Sequence, residues 1–504
     1  MADSDSIKLH VLRRNAANHI DANVTNFVPS TSSTQKQEYP NTHSEILVEQ
    51  RSASQLATLV GDEPPTTSES SDEEQWKPTR TYQALLLAAG FGMIFQVIGI
   101  NSIYGVFQEF YTSDRSNITD AQGQDALVSF VGTLGTGLTW SGSIFVNPLI
   151  ARTKHVQGIV LVGVFLMSLG IICASFSTKL WHLFLTQGIL YGIGASLFYF
   201  PILSLTPMYF DRHRGFAVGL VLSGAGVGGL VLSPIIHSLI THLNIQWTLR
   251  ILGLWNFAVG IPISFVVKRK PGRPIPSGTG STRLNASVAK RGTFIWQALG
   301  AFLQAGGNVV PTYFLTTYSV SVLAYSSGTG SLLLAVNNIV NSVARVSMGI
   351  LADRVGRQNT MIVSVILSGI SVLALWYDAP RPRFIAFVVF YGILAGGYNA
   401  LLPTTIAEVY GVQNYTSVNG FVYFIRGMGA LFGAPLAGVI LGHHQRGTAV
   451  MTINGEDGMG LRGLKKKYNE VAVYDGVLLL AAGACMAYVR WSDAKHKGGW
   501  SWRA

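Results

Sequence analysis

Two arginines lie in stretches that are otherwise apolar. Arg345 lies within VARVSMGI, and Arg426 lies within FVYFIRGMGALF. A guanidinium group stays ionised and presents a planar fork that matches a carboxylate. Because a charge inside an apolar segment is costly, it usually marks a path for a substrate or an ion. We therefore expect both arginines to face a cavity that accepts an anion. The alternative is a structural role, with each arginine bonded to a neighbouring helix.

Uncharged polar side chains and one acid occur in the same apolar stretches. A buried amide bonds a neighbouring helix more often than a ligand, so each amide has a packing alternative. Glu408, near the end of its stretch, is a candidate counterion for Arg426 and the only acid that we place deep within a predicted helix. The further candidates for the cavity wall are Gln96, Asn101, Gln187, Asn308, Asn341, Tyr398 and Asn399.

Apolar windows long enough to cross a bilayer recur along the chain. Apolar residues make up 49% of the 504 residues and charged residues only 12%, which is a more apolar balance than in soluble proteins. About 20 apolar residues cross the hydrocarbon layer as a helix. We predict twelve such helices: 82–107, 126–150, 156–176, 180–208, 215–240, 247–267, 294–318, 328–351, 360–377, 384–409, 416–442 and 471–489. The predicted fold is therefore an all-α membrane protein.

The polar segments between these windows predict the domain organisation. Residues 1–81 lack apolar periodicity and are rich in polar residues, which is typical of a disordered tail. We predict two pseudo-symmetric halves of six helices each, at 82–267 and 294–489. A basic cytoplasmic linker at 268–293 joins them, and a short cytoplasmic tail, 490–504, follows the second half.

Loop charges predict the orientation in the membrane. The segment 268–293 carries seven basic residues and no acid, whereas 108–125 has one base against four acids. Under the positive-inside rule, 268–293 and both termini face the cytoplasm. The net charge of +11 follows this pattern and does not indicate nucleic acid binding. Asn117 begins the external acceptor sequence N-I-T and is predicted to be glycosylated. The basic loop 443–470, predicted to be external, is an exception that the rule does not explain.

Three motifs carry a resemblance to a known family. The pattern G-x-x-x-D-R-x-G-R from Gly349 to Arg357 resembles the cytoplasmic-loop signature of the major facilitator superfamily. The segment YFDRHRGFAVG from Tyr209, followed by SGAGVGG, resembles the fourth-to-fifth helix region of its monocarboxylate-porter branch. NSIYGVF, from Asn101, resembles the end of the first helix in fungal members. On these motifs the chain is identified as a member of that branch over roughly 82–490.

The resemblance implies a secondary transporter that works by alternating access, in which Arg345 pairs with a substrate carboxylate. Its signature turns also supply the candidate gating residues: Asp353, Arg354, Arg357, Asp211, Arg212 and Arg214.

This sequence departs from the animal lactate carriers at two positions that are thought to couple transport to protons. Asn101 stands where those carriers have lysine, and Asn341 stands where they have aspartate. Since an amide does not exchange a proton near neutral pH, any proton coupling must use another group. Glu408 is the candidate that we name.

Other classes of function lack support in the sequence. We find no nucleophile elbow, phosphate loop or zinc motif, and we expect no enzyme activity, cofactor or metal. We predict a multi-pass protein of the plasma membrane, functional as a monomer, that transports a small organic acid or acidic metabolite. Its partners are the substrate, a proton where transport is coupled, and the lipid bilayer. Efflux of a secondary metabolite is favoured; the alternatives are a proton-coupled monocarboxylate uptake permease and a non-transporting nutrient sensor.

Overall fold

The chain folds as twelve long helical segments in succession. The structure, a computed structural model, describes residues 79–153, 155–205, 209–210, 214–268, 286–442, 457–497 and 499. Almost all of the predicted tail 1–81 and most of the linker 268–293 lie outside these residues, as do residues 500–504 of the second tail. The segments are α1 Arg80–Ser102 continuing as Tyr104–Thr112, α2 Asp125–Ser141 continuing as Ser143–Arg152, α3 Val156–Ala174, α4 Leu180–Leu205, α5 Arg214–Leu243, α6 Ile245–Val266, α7 Gly292–Ser321, α8 Ser327–Val355, α9 Arg357–Trp376, α10 Arg381–Gly411, α11 Ser417–Leu441 and α12 Asp457–His496.

The helices confirm the predicted all-α membrane fold. Ten of them are long and apolar enough to cross a membrane on their own. The other two are α2, which is interrupted at Gly142, and α7, which carries several polar residues. Each of the twelve predicted windows falls on one of the twelve helices. Within the described residues no strand occurs.

Local sequence explains several helix boundaries. Asn244 and Ser326 accept hydrogen bonds from the backbone N–H groups of Trp247 and Thr329, both at 3.2 Å, and so cap α6 and α8. The boundary between α10 and α11 depends on Gly411, whose φ of 76° interrupts an otherwise continuous helix. Only glycine adopts this angle without steric cost. The short connection therefore turns the chain back into the bundle.

Helices of the first six pack directly against helices of the last six. Thr133 on α2 donates to the carbonyl oxygen of Leu431 on α11 at 3.1 Å. Ser342 on α8 donates to the carbonyl oxygen of Ser223 on α5 at 2.7 Å. These pairs show that α2 lies beside α11 and that α5 lies beside α8.

Helix α12 begins earlier than predicted, at Asp457 rather than 471. Its additional N-terminal turns carry part of the basic cluster that the positive-inside rule left unexplained. Lys465 pairs with Asp378 at 2.6 Å. Lys467 donates to the carbonyl oxygen of Leu441 at 2.8 Å, at the C-terminal end of α11, where a cation is favoured by the helix dipole. These two lysines thus have structural partners.

Candidate functional site

A cavity lies between the two halves. Helices α1, α2, α7, α8 and α11 contribute most of the wall. The polar and aromatic residues that line it are Asn101, Ser102, Thr136, Trp140, Tyr199, Asn308, Thr312, Tyr313, Arg345, Asn399, Tyr423 and Arg426.

Arg345 reaches this cavity from α8. Its Nε donates to Oδ1 of Asn341 at 3.0 Å, one helical turn earlier. Its Nη1 donates to the carbonyl oxygen of Leu222, on α5 of the other half, at 3.2 Å. The side chain is half-buried, so part of the guanidinium fork remains on the cavity wall. Arg345 therefore combines a contact between the halves with a position that a ligand can reach.

Arg426 is held in an aromatic cage on the wall of the same cavity. Its guanidinium carbon lies 4.4 Å from the ring centroid of Trp140, 5.4 Å from that of Tyr398 and 5.8 Å from that of Tyr423. An aromatic face attracts a cation through its quadrupole. Nη2 donates to Oδ1 of Asn399, whereas the buried Nε has no hydrogen-bond partner. The cage holds the cation without neutralising its charge.

The predicted pairing of Arg426 with Glu408 is wrong. Glu408 lies three residues before Gly411, at the end of α10, and accepts a hydrogen bond from Gln358 at 3.1 Å. Arg426 lies nine residues into α11, which starts at Ser417. At 1.5 Å per residue, Arg426 is roughly 14 Å from the start of α11 and Glu408 roughly 5 Å from the end of α10, so their depths differ by roughly 9 Å. The two residues are therefore at different depths.

The cavity carries an uncompensated positive charge. In the described part of the chain, neither Arg345 nor Arg426 forms a salt bridge with a carboxylate. The two guanidinium groups are close enough to interact electrostatically with each other. Because like charges repel, an anion placed between them would be stabilised by both.

Some of the candidate polar residues line the cavity, and others contact one of the two arginines. Asn101, Asn308 and Asn399 line the cavity, and the amide nitrogen of Asn101 is buried without a partner. Asn341 contacts Arg345 rather than the cavity, and Tyr398 contacts Arg426 from behind the wall.

Gln96 and Gln187 lie outside the main cavity. Gln96 has no exposed surface, and both polar atoms of its amide lack a partner. Ile94 and Ile98 mark the lining face of α1, and Gln96, two residues from each, is turned about 200° away from that face. In this conformation Gln96 therefore does not line the cavity, and its predicted role in substrate binding stays a prediction. Gln187 accepts a hydrogen bond from the hydroxyl of Tyr111 at 3.2 Å.

The candidate gating residues lie in surface turns or outside the described residues. Asp353, Arg354 and Arg357 are exposed between α8 and α9, where Arg357 lies 3.6 Å from Asp353. Gly356 makes this turn with a φ of 103°. Asp211, Arg212 and the side chain of Arg214 lie outside the described residues.

The aromatic part of the wall was missed by sequence reasoning. Trp140, Tyr199, Tyr313 and Tyr423 all line the cavity. An aromatic residue in an apolar helix more often packs in the core, and nothing in the local sequence separates these four from the other aromatic residues.

Residues of the two halves contact each other on the side of the predicted external loop 108–125. The rings of Tyr104 on α1 and Tyr313 on α7 lie 5.0 Å apart. Glu109 is buried there: its Oε2 accepts a hydrogen bond from Ser327 on α8 at 2.9 Å, and its Oε1 lies 3.0 Å from Arg115. These contacts join the two halves beyond the cavity.

Comparison with known proteins decides the family. The family model described as Major Facilitator Superfamily matches residues 89–348 and 298–499. The chain belongs to this superfamily. It is therefore a multi-pass membrane protein of a transporter family, with the two-half architecture that the sequence predicted.

Relatives in the superfamily include fungal and animal proteins. The MFS-type transporter pynF of Aspergillus niger is 28% identical over 373 residues, covering 73% of this chain and 84% of that protein. The agnestins efflux protein AgnL12 of Paecilomyces divaricatus is 26% identical over 421 residues, covering 82% and 90%. Monocarboxylate transporter 12 of Rattus norvegicus is 27% identical over 329 residues, covering 58% and 67%. These names confirm the predicted likeness to the monocarboxylate-porter branch.

Solved structures of superfamily transporters share the fold. A bacterial homologue of the human lysosomal transporter Spinster, inward-facing and occupied, matches with a TM-score of 0.64 at 16% identity, covering 84% of this chain and 100% of that one. The nucleoside transporter NupG matches with a TM-score of 0.57 at 16% identity, covering 80% and 98%.

Proposed function

We propose that this superfamily member exports an aromatic acid, a secondary metabolite with one or two acidic groups, from the cytoplasm. The observation that carries the proposal is the pair Arg345 and Arg426, two cations on the wall of one cavity that form no salt bridge with a carboxylate among the described residues. Two such charges favour an anion, and a second acidic group on the ligand would satisfy the second arginine.

The aromatic lining supports a planar substrate. Trp140, Tyr199, Tyr313 and Tyr423 present ring surface to the same cavity that exposes the guanidinium groups. Aromatic rings favour offset or edge-to-face contacts with another ring. A small aliphatic acid such as lactate would leave most of this ring surface without contact.

Export is supported by the names of the relatives and by the amide side chains of Asn101 and Asn341. AgnL12 is named an efflux protein for agnestins, and Asn101 and Asn341 replace the two groups that the lactate carriers are thought to use for coupling. Monocarboxylate uptake is a second candidate, favoured by Arg345 and by the likeness to monocarboxylate transporter 12. In either case we place the protein in the plasma membrane, as a monomer, with both termini in the cytoplasm.

The proposal is tested with the purified full-length protein in liposomes, using labelled phthalate, benzoate and lactate as probes. Phthalate is an aromatic dianion that crosses lipid poorly, so its counterflow reports the protein. We expect counterflow with phthalate and benzoate and little with lactate. Robust lactate transport without phthalate transport would instead support the uptake permease.

Direction is tested in the source cells. Deleting the gene should increase the intracellular share of an endogenous aromatic acid, measured by mass spectrometry of cells and medium. An unchanged distribution of all acids would contradict export.

A further inference from the structure

A buried carboxyl group near the middle of α12 has no partner. Asp475 has no exposed surface, and both of its carboxyl oxygens lack a hydrogen-bond partner. Among the described residues no cation forms a salt bridge with it. A buried polar group of this kind is rare in proteins and needs a physical explanation.

The groups near Asp475 come from two neighbouring helices, α7 and α10, and from α12 itself. A Cβ atom on Gly307 of α7 would lie 3.0 Å from Oδ1 of Asp475, so α7 passes directly over the carboxyl. Tyr391 of α10 is within electrostatic reach, and its buried hydroxyl is also without a partner. The hydroxyl of Tyr474 turns away, to the carbonyl oxygen of Gly433 on α11 at 3.4 Å. Among the described residues, the titratable groups nearby are therefore two phenols, and no charged side chain is found with them.

The surroundings determine the charge of this carboxyl. An isolated ionised carboxylate in an apolar interior costs so much free energy that the group takes up a proton instead. A neutral carboxyl avoids this cost, and in this conformation no hydrogen bond joins it to Tyr391. We propose that Asp475 is a proton-binding site of this transporter and that it carries its proton in the conformation described here.

The position of Gly307 links this site to the substrate cavity. Asn308, the next residue of α7, lines that cavity, and Pro311 follows within one turn. Gly306 lies in close contact with Gly433 of α11. Two glycines and a proline in one stretch favour a bend whose angle can change. When α7 bends away, water reaches Asp475 and the proton leaves for the aqueous phase; when α7 returns, the carboxyl must be reprotonated.

This assignment replaces the one made from sequence. Glu408, named as the only deep acid, is half-buried at the end of α10 and bonded to Gln358, whereas Asp475 is deeper and unpartnered. The coupling of this proton to transport rests on the proposed function, because it needs the transported acid. The binding of the proton by Asp475 does not. The two can therefore be tested separately.

The proton site is tested by infrared difference spectroscopy of the purified protein over a pH series. The carbonyl stretch of a protonated carboxyl should persist into the neutral range in the wild type and disappear in Asp475→Asn. The matched control is Asp493→Asn on the same helix, because Asp493 is also buried but pairs with Lys497 at 2.8 Å. It should retain the band. If the wild type shows no such band, or if Asp475→Asn retains it, the assignment is overturned.

Two further measurements complete the test. The first uses a second variant, in case Asp475→Asn fails to fold. The second connects the proton site to transport. Tyr391→Phe removes the hydroxyl beside the carboxyl and should shift the band without abolishing it. In liposomes, Asp475→Asn should keep phthalate counterflow, which needs no deprotonation, and lose the flux driven by a pH gradient. Retained gradient-driven flux would exclude Asp475 as the coupling group. Absence of phthalate transport in the wild type would contradict the proposed function and leave the infrared result standing.

Discussion

Replacing Arg345 by alanine removes a cation that reaches the cavity and also contacts the other half of the protein. The two roles predict different outcomes, which makes this substitution the sharpest test of the site. The contacts that are lost within the protein are the hydrogen bonds to Asn341 and to the carbonyl oxygen of Leu222, at 3.0 and 3.2 Å.

The effect on folding should be small. A hydrogen bond contributes about 1 kcal/mol net, so two of them contribute roughly 2 kcal/mol to the free energy of unfolding. Asn341 and Leu222 are both half-buried, and water entering the space left by the guanidinium can satisfy their oxygens. We therefore expect Arg345→Ala to be made and delivered to the membrane at near-normal levels.

The effect on binding should be large. Truncating one partner of a buried charge pair costs about 2–5 kcal/mol. At 1.4 kcal/mol per tenfold change, this weakens binding of an acidic ligand by roughly 30-fold to a few thousand-fold. Arg345→Lys restores the charge but not the planar fork, so it should recover only part of the loss.

The assay is phthalate binding to the purified protein by calorimetry, followed by counterflow in liposomes. The matched control is Arg80→Ala, which removes an exposed arginine at the start of α1, away from the cavity, and should bind like the wild type. If Arg345→Ala binds phthalate normally, or is lost because it cannot fold, Arg345 is a structural residue and the reasoning is refuted.

Three other predictions address the fold and its orientation. Asn117→Gln should abolish a glycosidase-sensitive shift in apparent mass, because Asn117 is exposed in the predicted external loop; a wild type without the shift contradicts the orientation. Gly411→Ala should lower the melting temperature, since its φ of 76° and ψ of 158° cost an L-residue about 1–3 kcal/mol, whereas Gly349→Ala, in helix and with open space around it, should not. A hydrogen bond from Lys465 lowers the pKa of Asp378, so the stability it adds should be present above the ordinary carboxyl pKa and be lost as the pH falls through the lowered value. Asp378→Asn should remove that part of the pH dependence of the melting temperature, and an unchanged profile would contradict it.

The sequence alone determined the number and type of helices. A bilayer admits only segments that satisfy their own backbone hydrogen bonds, so a run of about 20 apolar residues predicts a helix without knowledge of its neighbours. The same argument singled out Arg345, because a charge in such a run is costly wherever the helix lies. The motifs from Gly349 and from Tyr209 then predicted the family.

Only the tertiary structure decided which side of each helix meets the cavity. Gln96 and Asn101 are equally polar residues of α1, but the rotation of the helix buries one and exposes the other to the cavity. Glu408 and Arg426 belong to consecutive helices, but their depths separate them. Asp475 is isolated only because α7 passes over it without a side chain at Gly307. In a soluble helix the polar face indicates the outside, whereas in a membrane bundle lipid and core are both apolar. The rotation and depth of each helix therefore depend on packing between helices distant in sequence.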